Sequence, residues 1–582
     1  MLTLRNRQAF KSLLEAAFWQ ASEPDRPVLH FIHPDGQTET ISRAQFQAGV
    51  HAQTALLHNL GAQPDDLVII AQDQELTGIY RFWAALYLGV IPSFFPPLTE
   101  KLDPDVYQAN MSTLVDHSGA KFVLTSDDYV PLLAQTVGCP VIGSTNPTTL
   151  TGPNAPVTPN VHCTPSSLVI PSVPTLKAQP LKRSEGSEGT IAFLQHSSGT
   201  TGLQKGVALS HAAVLNQLAS YSAAIGLSAT DVVVSWLPLY HDMGLIAGFL
   251  LPLFQGIPLV LMSPFAWVRR PALLLEAISQ HGGTLCWLPN FAYNHCARRV
   301  RAADLDGLSL ASMRLFINCS EPVRADSHEL FLARFAGLGV RPAMLAVSYA
   351  MAENTFAVTQ TKIGHPPSVV VVDTTALLEK SVVEPAGATN PSTRLVSCGQ
   401  PIAGTAVQIV DEGGSTLPDG HVGEILVRSD CMLSGYHHRP DLQPFSQGWY
   451  QTGDRGLLLN GELYVIGRSK DLIINAGKNI YPQDIEAIVN ELPGIHPGRV
   501  VVFGVPDERE GTELIAVLAE TSAVDPDERK HLNQQIRQAV ARQTMVAVTY
   551  IGLVPPKWLL KTSSGKIARA ANREKWQRER LG

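Results

Sequence analysis

The first stretch with the makings of a chemical site is SSGTTGLQKG, residues 197–206. Its glycines let the backbone approach phosphate oxygens closely, and they are Gly199, Gly202 and Gly206. The hydroxyl donors between them are Ser197, Ser198, Thr200 and Thr201. Lys205 adds a positive charge. We predict that the stretch follows a strand and precedes a helix beginning near His211, where a helix N-terminus binds anions.

The spacing within this stretch limits the chemistry. It lacks the G-x-x-x-x-G-K-[ST] pattern of P-loop ATPases, which places the lysine and a magnesium-binding hydroxyl at the start of a helix. A phosphoryl-transferring ATPase is therefore disfavoured. Taken alone, the stretch is equally consistent with a Ser/Gly/Thr turn that holds no ligand.

The composition is that of a large globular protein. Hydrophobic residues make up 45% of the chain and charged residues 16%, a balance that supports a large buried interior. A chain of 582 residues is too long for one core, so we expect three or more folding units. The net charge of -7 provides no general attraction for nucleic acid, whose binding proteins usually carry a basic excess. We therefore expect no nucleic-acid partner.

The seven cysteines are scattered, without a CxxC pair or a His/Cys cluster at metal-ligand spacing. This distribution argues against a disulfide or zinc framework and fits the reducing cytosol. The first residues, MLTLRNRQAFKSLLEAAF, lack the apolar core and the cleavage site of a signal peptide. We therefore expect a cytoplasmic protein.

Residues 244–262, GLIAGFLLPLFQGIPLVLM, carry no charge over nineteen positions, which is long enough to raise the question of a membrane span. The QGIP break at 255–258 favours another interpretation, because Gly and Pro separate elements. A buried helix followed by a buried strand accounts for the stretch. We expect no transmembrane segment.

Short apolar runs alternate with amphipathic helical stretches in the middle of the chain. The runs are TIAFL (190–194), VVV (232–234), TLCWL (284–288), LFI (315–317) and LAV (345–347). A helix is predicted from His211, because apolar residues recur at helical spacing at Val214, Leu215, Leu218 and Tyr221. The alternation predicts an α/β fold with largely parallel, buried sheets.

Changes in composition mark the domain organisation. Residues 150–188 are rich in Pro, Ser, Thr and Gly, which predicts a surface linker without regular structure. After about residue 394, the segments AVQIVD, GEILVRS and ELYVIGR predict a smaller β subdomain. An amphipathic helix, strands and a basic tail follow Arg468. We place a domain boundary at 468–471.

Six further motifs follow the Gly/Ser/Thr stretch. They are WLPLYHDMGL (236–245), NCSEPVR (318–324), SYAMAE (348–353), YQTGDRG (450–456), GRSKDLIINAGKNIYPQDIE (467–486) and KTSSGKIAR (561–569). Their order and spacing resemble the adenylate-forming superfamily of acyl-CoA synthetases, peptide-synthetase adenylation domains and luciferases. WLPLYHDMGL, SEPVR and YAMAE look most like the fatty acyl-AMP ligases of that superfamily.

The resemblance spans nearly the whole chain and implies a fold. This is an α/β fold whose large N-terminal domain, residues 1–467, has two packed α/β sheet subdomains plus a small β subdomain at about 394–467. A small, mobile α+β C-terminal domain follows at 468–582. Lys470 takes the family's hinge position, where backbone rotation swings the small domain.

The resemblance also implies an activity. The superfamily joins a carboxylate to the α-phosphate of ATP, releases pyrophosphate and retains an acyl-adenylate. Such an in-line displacement needs positioned anions and neutralised charge rather than a nucleophilic side chain. ATP and Mg²⁺ are the implied cofactors.

Roles follow from the positions of residues in the motifs. The Gly/Ser/Thr stretch would wrap the β- and γ-phosphates, and Glu353 would hold Mg²⁺. Tyr349 would stack on adenine, while Asp454 would accept from the ribose hydroxyls. The whole adenine and ribose pocket would comprise Ser320, Glu321, Pro322, Tyr349, Ala350, Met351, Asp454 and Arg468. Taken alone, each residue could equally stabilise the fold, and Ala352 replaces a threonine that many relatives use on phosphate.

Lys566 is implied as the small-domain lysine that reaches between the substrate carboxylate and the α-phosphate. Its surroundings carry seven Lys or Arg against two acids from Lys561 onward, and a solvated basic tail is the ordinary interpretation of such a run. The motif favours a catalytic Lys566 but not a role for the residues beyond Arg573. His241 would face the reacting carboxylate, although a structural histidine beside Asp242 fits nearly as well.

The segment between Glu353 and LVSCGQP is longer than in most acyl-CoA synthetases. The extra residues, within 362–394, correspond to the insertion that marks fatty acyl-AMP ligases. In that family the insertion is taken to hinder the domain movement needed for transfer to coenzyme A. A tolerated surface insertion is the alternative, because longer loops cost little entropy.

The implied substrate is a fatty acid, held by a pocket that segments 236–262 and 284–293 would wall around Trp236 and Trp287. The implied acceptor is the phosphopantetheine thiol of a separate acyl carrier protein. The face with Gly477, Lys478, Asn479 and Ile480 would line the thiol's entrance. Two other functions stay open: an acyl-CoA ligase that uses coenzyme A, and a non-catalytic lipid- or nucleotide-binding relative.

Overall fold

The computed structural model of the chain describes residues 2–7, 10–16, 23–98, 104–144, 190–196, 205–387, 390–475, 478–507, 512–544, 546–562 and 566–581. The linker predicted at 150–188 lies outside these ranges. Of the Gly/Ser/Thr stretch, only Lys205 and Gly206 lie within them.

The predicted α/β alternation forms two large sheets. One has nine strands, in the order 400–401, 357–360, 345–350, 315–318, 285–288, 233–235, 259–262, 27–32 and 38–42. The strands from 345–350 to 27–32 are parallel. Antiparallel pairs close both edges of this sheet.

The second large sheet has seven strands, in the order 435–436, 206–210, 191–196, 91–94, 67–71, 122–125 and 141–142. The strand Leu67–Ala71 is buried throughout. Val68 and Ile70 belong to one apolar cluster with Phe82, while Ile69 belongs to another with Met111. Because its side chains enter a core on each face of the sheet, the sequence of this strand is apolar at every position.

Helices pack around these sheets. Those preceding residue 340 are Leu13–Ala16, Arg43–Asn59, Leu76–Leu88, Pro104–Ser118, Val130–Ala134, His211–Ala224, Leu251–Gln255, Pro264–Arg269, Ala272–His281, Asn290–Arg299 and Ala325–Phe335. The helix predicted from His211 begins there because Ser210 Oγ accepts a hydrogen bond from the Ala213 amide at 3.1 Å.

The element after the Gly/Ser/Thr stretch differs from the prediction. The strand Gly206–Ser210 pairs antiparallel with Ile191–His196, in a register that sets His196 opposite Gly206. Residues 197–204 therefore connect two strands, and the helix at His211 begins one strand later than the prediction required. No Gly or Pro separates the run Val207–Ala208–Leu209 from the helix at His211, so the run could not be told from the start of that helix.

The uncharged stretch 244–262 forms a buried helix and a buried strand, as predicted. A π-helical segment, Met243–Leu250, continues into Leu251–Gln255, and Gly256 ends the helix at a φ of 67°. The strand Leu259–Met262 follows and is buried throughout. Within the described ranges, no helix is both long and apolar enough to cross a membrane.

The predicted β subdomain is a five-stranded antiparallel sheet. Its strands are 405–410, 423–429, 445–446, 449–459 and 462–468. The extra segment within 362–394 forms the strand Val369–Asp373 and a π-helical turn, Ala376–Lys380. The first of these pairs antiparallel with Ser392–Val396.

The chain after Arg468 has α+β structure. A hairpin, 473–475 with 478–480, precedes a three-stranded sheet of 500–507, 512–520 and 550–554. The helices are Pro482–Asn490, Pro526–Thr544 and Arg569–Leu581. Ile485, Val502 and Ile536 lie in one apolar cluster of this region. The division into domains at 468, with Lys470 as hinge, stays a prediction.

Candidate active site

Among the residues that the structure describes, most predicted site residues lie where strands of the nine-stranded sheet end. Ser320, Glu321 and Pro322 follow the strand Leu315–Asn318, and Glu353 follows Leu345–Ala350. His241 follows the strand Val233–Ser235. Ligands of open α/β sheets bind outside the carboxyl ends of parallel strands. The predicted phosphate contacts Ser197, Ser198, Gly199, Thr200, Thr201 and Gly202 lie outside the described residues.

Three residues predicted for the adenine and ribose pocket are in direct contact. The Tyr349 hydroxyl donates to Asp454 Oδ2 at 2.6 Å, and Arg468 Nε lies 3.2 Å from Asp454 Oδ1. Asp454 and Arg468 are cross-strand partners, which explains their proximity. Burial, followed by the Asp454 carboxylate, raises the pKa of Tyr349 well above its ordinary value. Tyr349 therefore remains a hydroxyl donor that orients this carboxylate.

The predicted metal carboxylate contacts one tyrosine, which in turn contacts a second. Tyr436 donates its hydroxyl proton to Glu353 Oε1 at 3.1 Å, and the Tyr450 hydroxyl lies 3.1 Å from that of Tyr436. Because Tyr436 gives its proton to the carboxylate, Tyr450 is the donor of the second bond. Lys205 Nζ lies 4.9 Å from the centroid of the Tyr436 ring. The predicted phosphate lysine and the predicted metal carboxylate thus flank one tyrosine.

Lys566 reaches from the end of the chain into this region. Its Nζ donates to the carbonyl oxygen of Ser320 at 2.7 Å. Ser320 has a φ of 70°, a left-handed conformation that costs a non-glycine residue about 1–2 kcal/mol. Strained residues of this kind are frequent at binding sites.

His241 belongs to the same cluster as Lys566. Burial and then the Lys566 charge lower the pKa of His241 to about 3. Its Nε2 is buried and has no hydrogen-bond partner among the described residues. The neighbouring Asp242 caps the Met243 amide at 2.8 Å. A buried, neutral imidazole with a spare nitrogen fits a ligand-facing group better than a paired structural histidine.

Glu321 takes a contact that the motif did not predict. Its Oε2 accepts from the Phe291 amide at 2.9 Å, at the start of the helix Asn290–Arg299. A carboxylate at a helix N-terminus is favoured by the helix dipole. Pro322 is exposed, whereas Ala350 and Met351 are half-buried against the main core. Their predicted adenine contacts stay predictions.

The predicted hinge lies in an ion-paired turn. Lys470 is in the 3₁₀ turn Ser469–Asp471, and Asp471 accepts from Arg569 at 2.7 Å. Arg569 also binds Glu486 at 2.8 Å. Beyond the turn, Gly477 lies outside the described residues, while Lys478 pairs with Glu379 at 2.9 Å.

Aromatic side chains fill the predicted acyl wall. The indoles of Trp236 and Trp267 stack with centroids 3.7 Å apart, and Phe291 meets both edge-on. Trp287 instead donates its Nε1 proton to the Tyr221 hydroxyl at 2.8 Å within the core. A cleft is lined by Phe94, Phe95, Leu239, Tyr240 and Phe265, with Asp73 and Glu75 among its polar residues.

Sequence reasoning missed Tyr436 and assigned no role to Tyr450. Tyr450 begins the motif YQTGDRG, which could have drawn attention to it. Tyr436 lies in none of the quoted motifs and is separated from Glu353 by 83 positions. Spacing carries no signal for such a contact.

Comparisons with known proteins agree on one family. A family model described as AMP-binding enzyme matches residues 17–437. A medium-chain-fatty-acid–[acyl-carrier-protein] ligase, JamA of Moorena producens, is 36% identical over 432 residues, which cover 70% of this chain and 72% of the relative. A 4-hydroxyphenylalkanoate adenylyltransferase of Mycobacterium tuberculosis is 31% identical over 586 residues, covering 95% of this chain and 89% of the relative.

Solved structures extend the similarity to the fold. A structure from studies of fatty acyl-adenylate ligases of E. coli and L. pneumophila superposes with a TM-score of 0.86 at 27% identity. The superposition covers 98% of this chain and 99% of the other.

Proposed function

The chain belongs to the AMP-binding enzyme family, and on that premise we propose that it is a fatty acyl-AMP ligase. It activates a fatty acid with ATP, releases pyrophosphate and retains the acyl-adenylate. The acyl group then passes to the phosphopantetheine thiol of an acyl carrier protein. The ligase JamA, whose own name gives both a medium-chain fatty acid and a carrier protein, supports this choice of substrate and acceptor.

The observation that carries the proposal is the position of Lys566. Its ammonium group lies 2.7 Å from the Ser320 carbonyl oxygen, 246 positions away in sequence, and its charge acts on the buried His241. A cation beside a neutral imidazole, whose Nε2 has no hydrogen-bond partner in the described part of the chain, suits a site that brings two anions together. Substrates that compete for Lys566 would replace the Ser320 contact.

The chemistry requires two bond changes at the α-phosphorus. A carboxylate oxygen of the acid forms a bond to that phosphorus, and the bond to the bridging oxygen of pyrophosphate breaks. No proton transfer is required, so electrostatic positioning carries the catalysis. Lys566 would neutralise charge that develops between the carboxylate and the α-phosphate. Asp454, oriented by Tyr349 and Arg468, would hold the ribose.

The residues present fit Mg²⁺ at Glu353. One carboxylate oxygen is oriented by Tyr436, and the other has no hydrogen-bond partner in the part of the chain that the structure describes. That part also contains no cluster of three or more His, Cys, Asp or Glu side chains suited to a metal. Mg²⁺ typically binds one or two carboxylates together with substrate phosphates. When bound, it would screen the phosphate charges.

Contacts of the extra segment support a carrier protein over coenzyme A as acceptor. Leu377 of this segment packs in one apolar cluster with Tyr481, and Glu379 pairs with Lys478 at 2.9 Å. On its other side, Arg394 binds Asp326 at 2.8 Å and also contacts Glu329. A segment held at both ends would resist movement of residues 468–582.

Carboxylate-dependent exchange of labelled pyrophosphate into ATP tests the proposal. We expect exchange with at least one acid in a series of fatty acids of increasing length, with 4-hydroxyphenylalkanoates as a second series because a relative's name carries that acid. Exchange with no acid would favour a non-catalytic relative. Exchange followed by transfer to coenzyme A, without transfer to carrier protein, would favour an acyl-CoA ligase.

A further inference from the structure

One short segment connects the predicted metal residue Glu353 to the strand Gly206–Ser210, which follows Lys205. We call residues 433–437 the strap. The Leu433 amide donates to the Glu353 carbonyl oxygen at 2.8 Å. The Ser434 amide donates to the Ala208 carbonyl oxygen at 2.9 Å, and the His437 amide to that of Gly206 at 2.8 Å. The strap therefore sets the backbone of Glu353 in register with the strand that follows Lys205.

The side chain of Tyr436, which belongs to the strap, also connects Glu353 with Lys205. The Tyr436 hydroxyl donates to Glu353 Oε1 at 3.1 Å, and the face of its ring receives Lys205 Nζ at 4.9 Å from the centroid. Tyr450 donates to the same hydroxyl at 3.1 Å, so the Tyr436 proton is directed at the carboxylate. A tyrosine hydroxyl is protonated at neutral pH, so Tyr436 can donate this hydrogen bond.

We propose that Tyr436 is a positioning residue that fixes the metal-binding carboxylate Glu353 and the phosphate-binding Lys205 relative to each other. The inference rests on the proposed function, because it assumes that nucleotide and metal bind at these two groups. It adds a residue that none of the sequence motifs contains.

Holding Glu353 and Lys205 in place before binding lowers the conformational entropy that their side chains lose when the nucleotide binds. A free glutamate rotates about several bonds, and a free lysine about four, so ordering either costs entropy when the metal–nucleotide complex binds. A hydrogen bond on one carboxylate oxygen leaves the other available to a cation in a set direction. A cation over the Tyr436 ring gains a further weak attraction that restricts Lys205.

Tyr436→Phe separates this role from a structural one. The variant keeps the ring beneath Lys205 and the strap backbone but removes the hydroxyl from Glu353. The measurement is the calorimetric Kd of α,β-methylene-ATP, whose α–β linkage cannot be cleaved, with Mn²⁺ and separately with EDTA. We expect Kd with Mn²⁺ to rise about tenfold, because a hydrogen bond to a charged group is lost. Kd in EDTA should change less than about twofold, since the carboxylate then meets no metal.

Two variants frame the result. Glu353→Gln should abolish the difference between Mn²⁺ and EDTA. Tyr464→Phe is the matched control, because its hydroxyl contacts Glu462 at 3.4 Å within the β subdomain, away from these groups. It should leave both Kd values unchanged.

Equal loss of affinity in both conditions, or no loss in either, would overturn the role of Tyr436. A wild-type protein that binds the analogue no more tightly with Mn²⁺ than with EDTA would overturn it as well. Since these measurements need no acid, failure of the proposed function shows separately, as absent pyrophosphate exchange in a protein that still binds the analogue.

Discussion

Lys566 is the residue on which the proposed chemistry depends most. Lys566→Ala should lower adenylation by about 100-fold or more, because a preorganised charge aimed at the developing transition state is removed. The rate of pyrophosphate exchange measures this. Lys530→Ala, which removes an exposed lysine from the helix Pro526–Thr544, is the control for lost charge. Equal exchange rates in the two variants would contradict the assignment of Lys566.

The lowered pKa of His241 predicts how the stability of the protein depends on pH. Its folded-state pKa of about 3 lies below the ordinary value of 6.5, so between these values the unfolded chain binds the proton more strongly. The contribution of His241 to the free energy of unfolding is therefore fully present above about pH 6.5. It decreases as the pH falls, by up to about 1.4 kcal/mol per pH unit. The Tm of the wild type should fall more steeply from pH 7.5 to 5 than that of His241→Asn. Parallel curves would show that His241 does not contribute.

At the scale of residues, the sequence predicted which residues belong to the candidate site better than it predicted which atoms their side chains contact. Glu353, Asp454, Arg468 and Lys566 were identified by motif, and the structure brings Asp454 and Arg468 together as cross-strand neighbours. Glu321 was assigned to the adenine pocket, yet its carboxylate bonds to a helix amide. A motif carries the residue type and its place in the chain but not the direction of the side chain.

The π-helical element Met243–Leu250 supports a prediction at the next scale. A Cβ on Gly244 would lie 2.1 Å from the Pro238 carbonyl oxygen, which accepts the His241 amide at 3.2 Å. Backbone cannot yield to this overlap as a side chain can. Gly244→Ala should therefore displace His241, reduce pyrophosphate exchange at least about tenfold and destabilise the protein by about 1–3 kcal/mol.

Gly248→Ala and Gly337→Ala complete this series. A Cβ on Gly248 would meet the Ser235 hydroxyl at 2.6 Å, so a side-chain rotation relieves part of the overlap. A Cβ on Gly337 meets nothing within 4 Å. Exchange rates should fall in the order Gly337, Gly248, Gly244, and a different order would contradict the steric argument.

Elements were predictable where periodicity was long or burial continuous. The helix at His211, the parallel strands and the division of 244–262 all follow from apolar spacing. The strand Gly206–Ser210 was missed because no Gly or Pro separates its apolar run, Val207 to Leu209, from the helix at His211. Its partner strand, Ile191–His196, pairs with it antiparallel, and the spacing of apolar residues does not predict this pairing.

At the scale of the whole molecule, the extra segment governs the choice of acceptor in our proposal. Asp373 and Ser392 are cross-strand partners, so residues 374–391 can be replaced by an Asn-Gly turn. This removes Leu377, which shares an apolar cluster with Tyr481, and Glu379, which pairs with Lys478. We expect the shortened protein to form acyl-CoA, detected by chromatography, because residues 468–582 then move more freely.

Leu377→Ala controls for the packing lost in that deletion. It removes a side chain that is 4% exposed and should destabilise the protein by about 2–4 kcal/mol, while producing less acyl-CoA than the shortened protein because the rest of the segment remains. Absence of acyl-CoA from the shortened protein would support the alternative, a tolerated surface insertion. The single pair between Glu379 and Lys478 is half-exposed and contributes little alone.

The amino-acid sequence by itself determined the family, the α/β class and most candidate residues, because ordered motifs and apolar spacing are local properties of the chain. Only the tertiary structure decided which side chains share a hydrogen bond: Tyr436 with Glu353, and Lys566 with Ser320. Each of these contacts joins residues that are far apart in the chain. Contacts of that kind depend on sheet register and on the packing of residues 468–582 against the rest, which no spacing rule encodes.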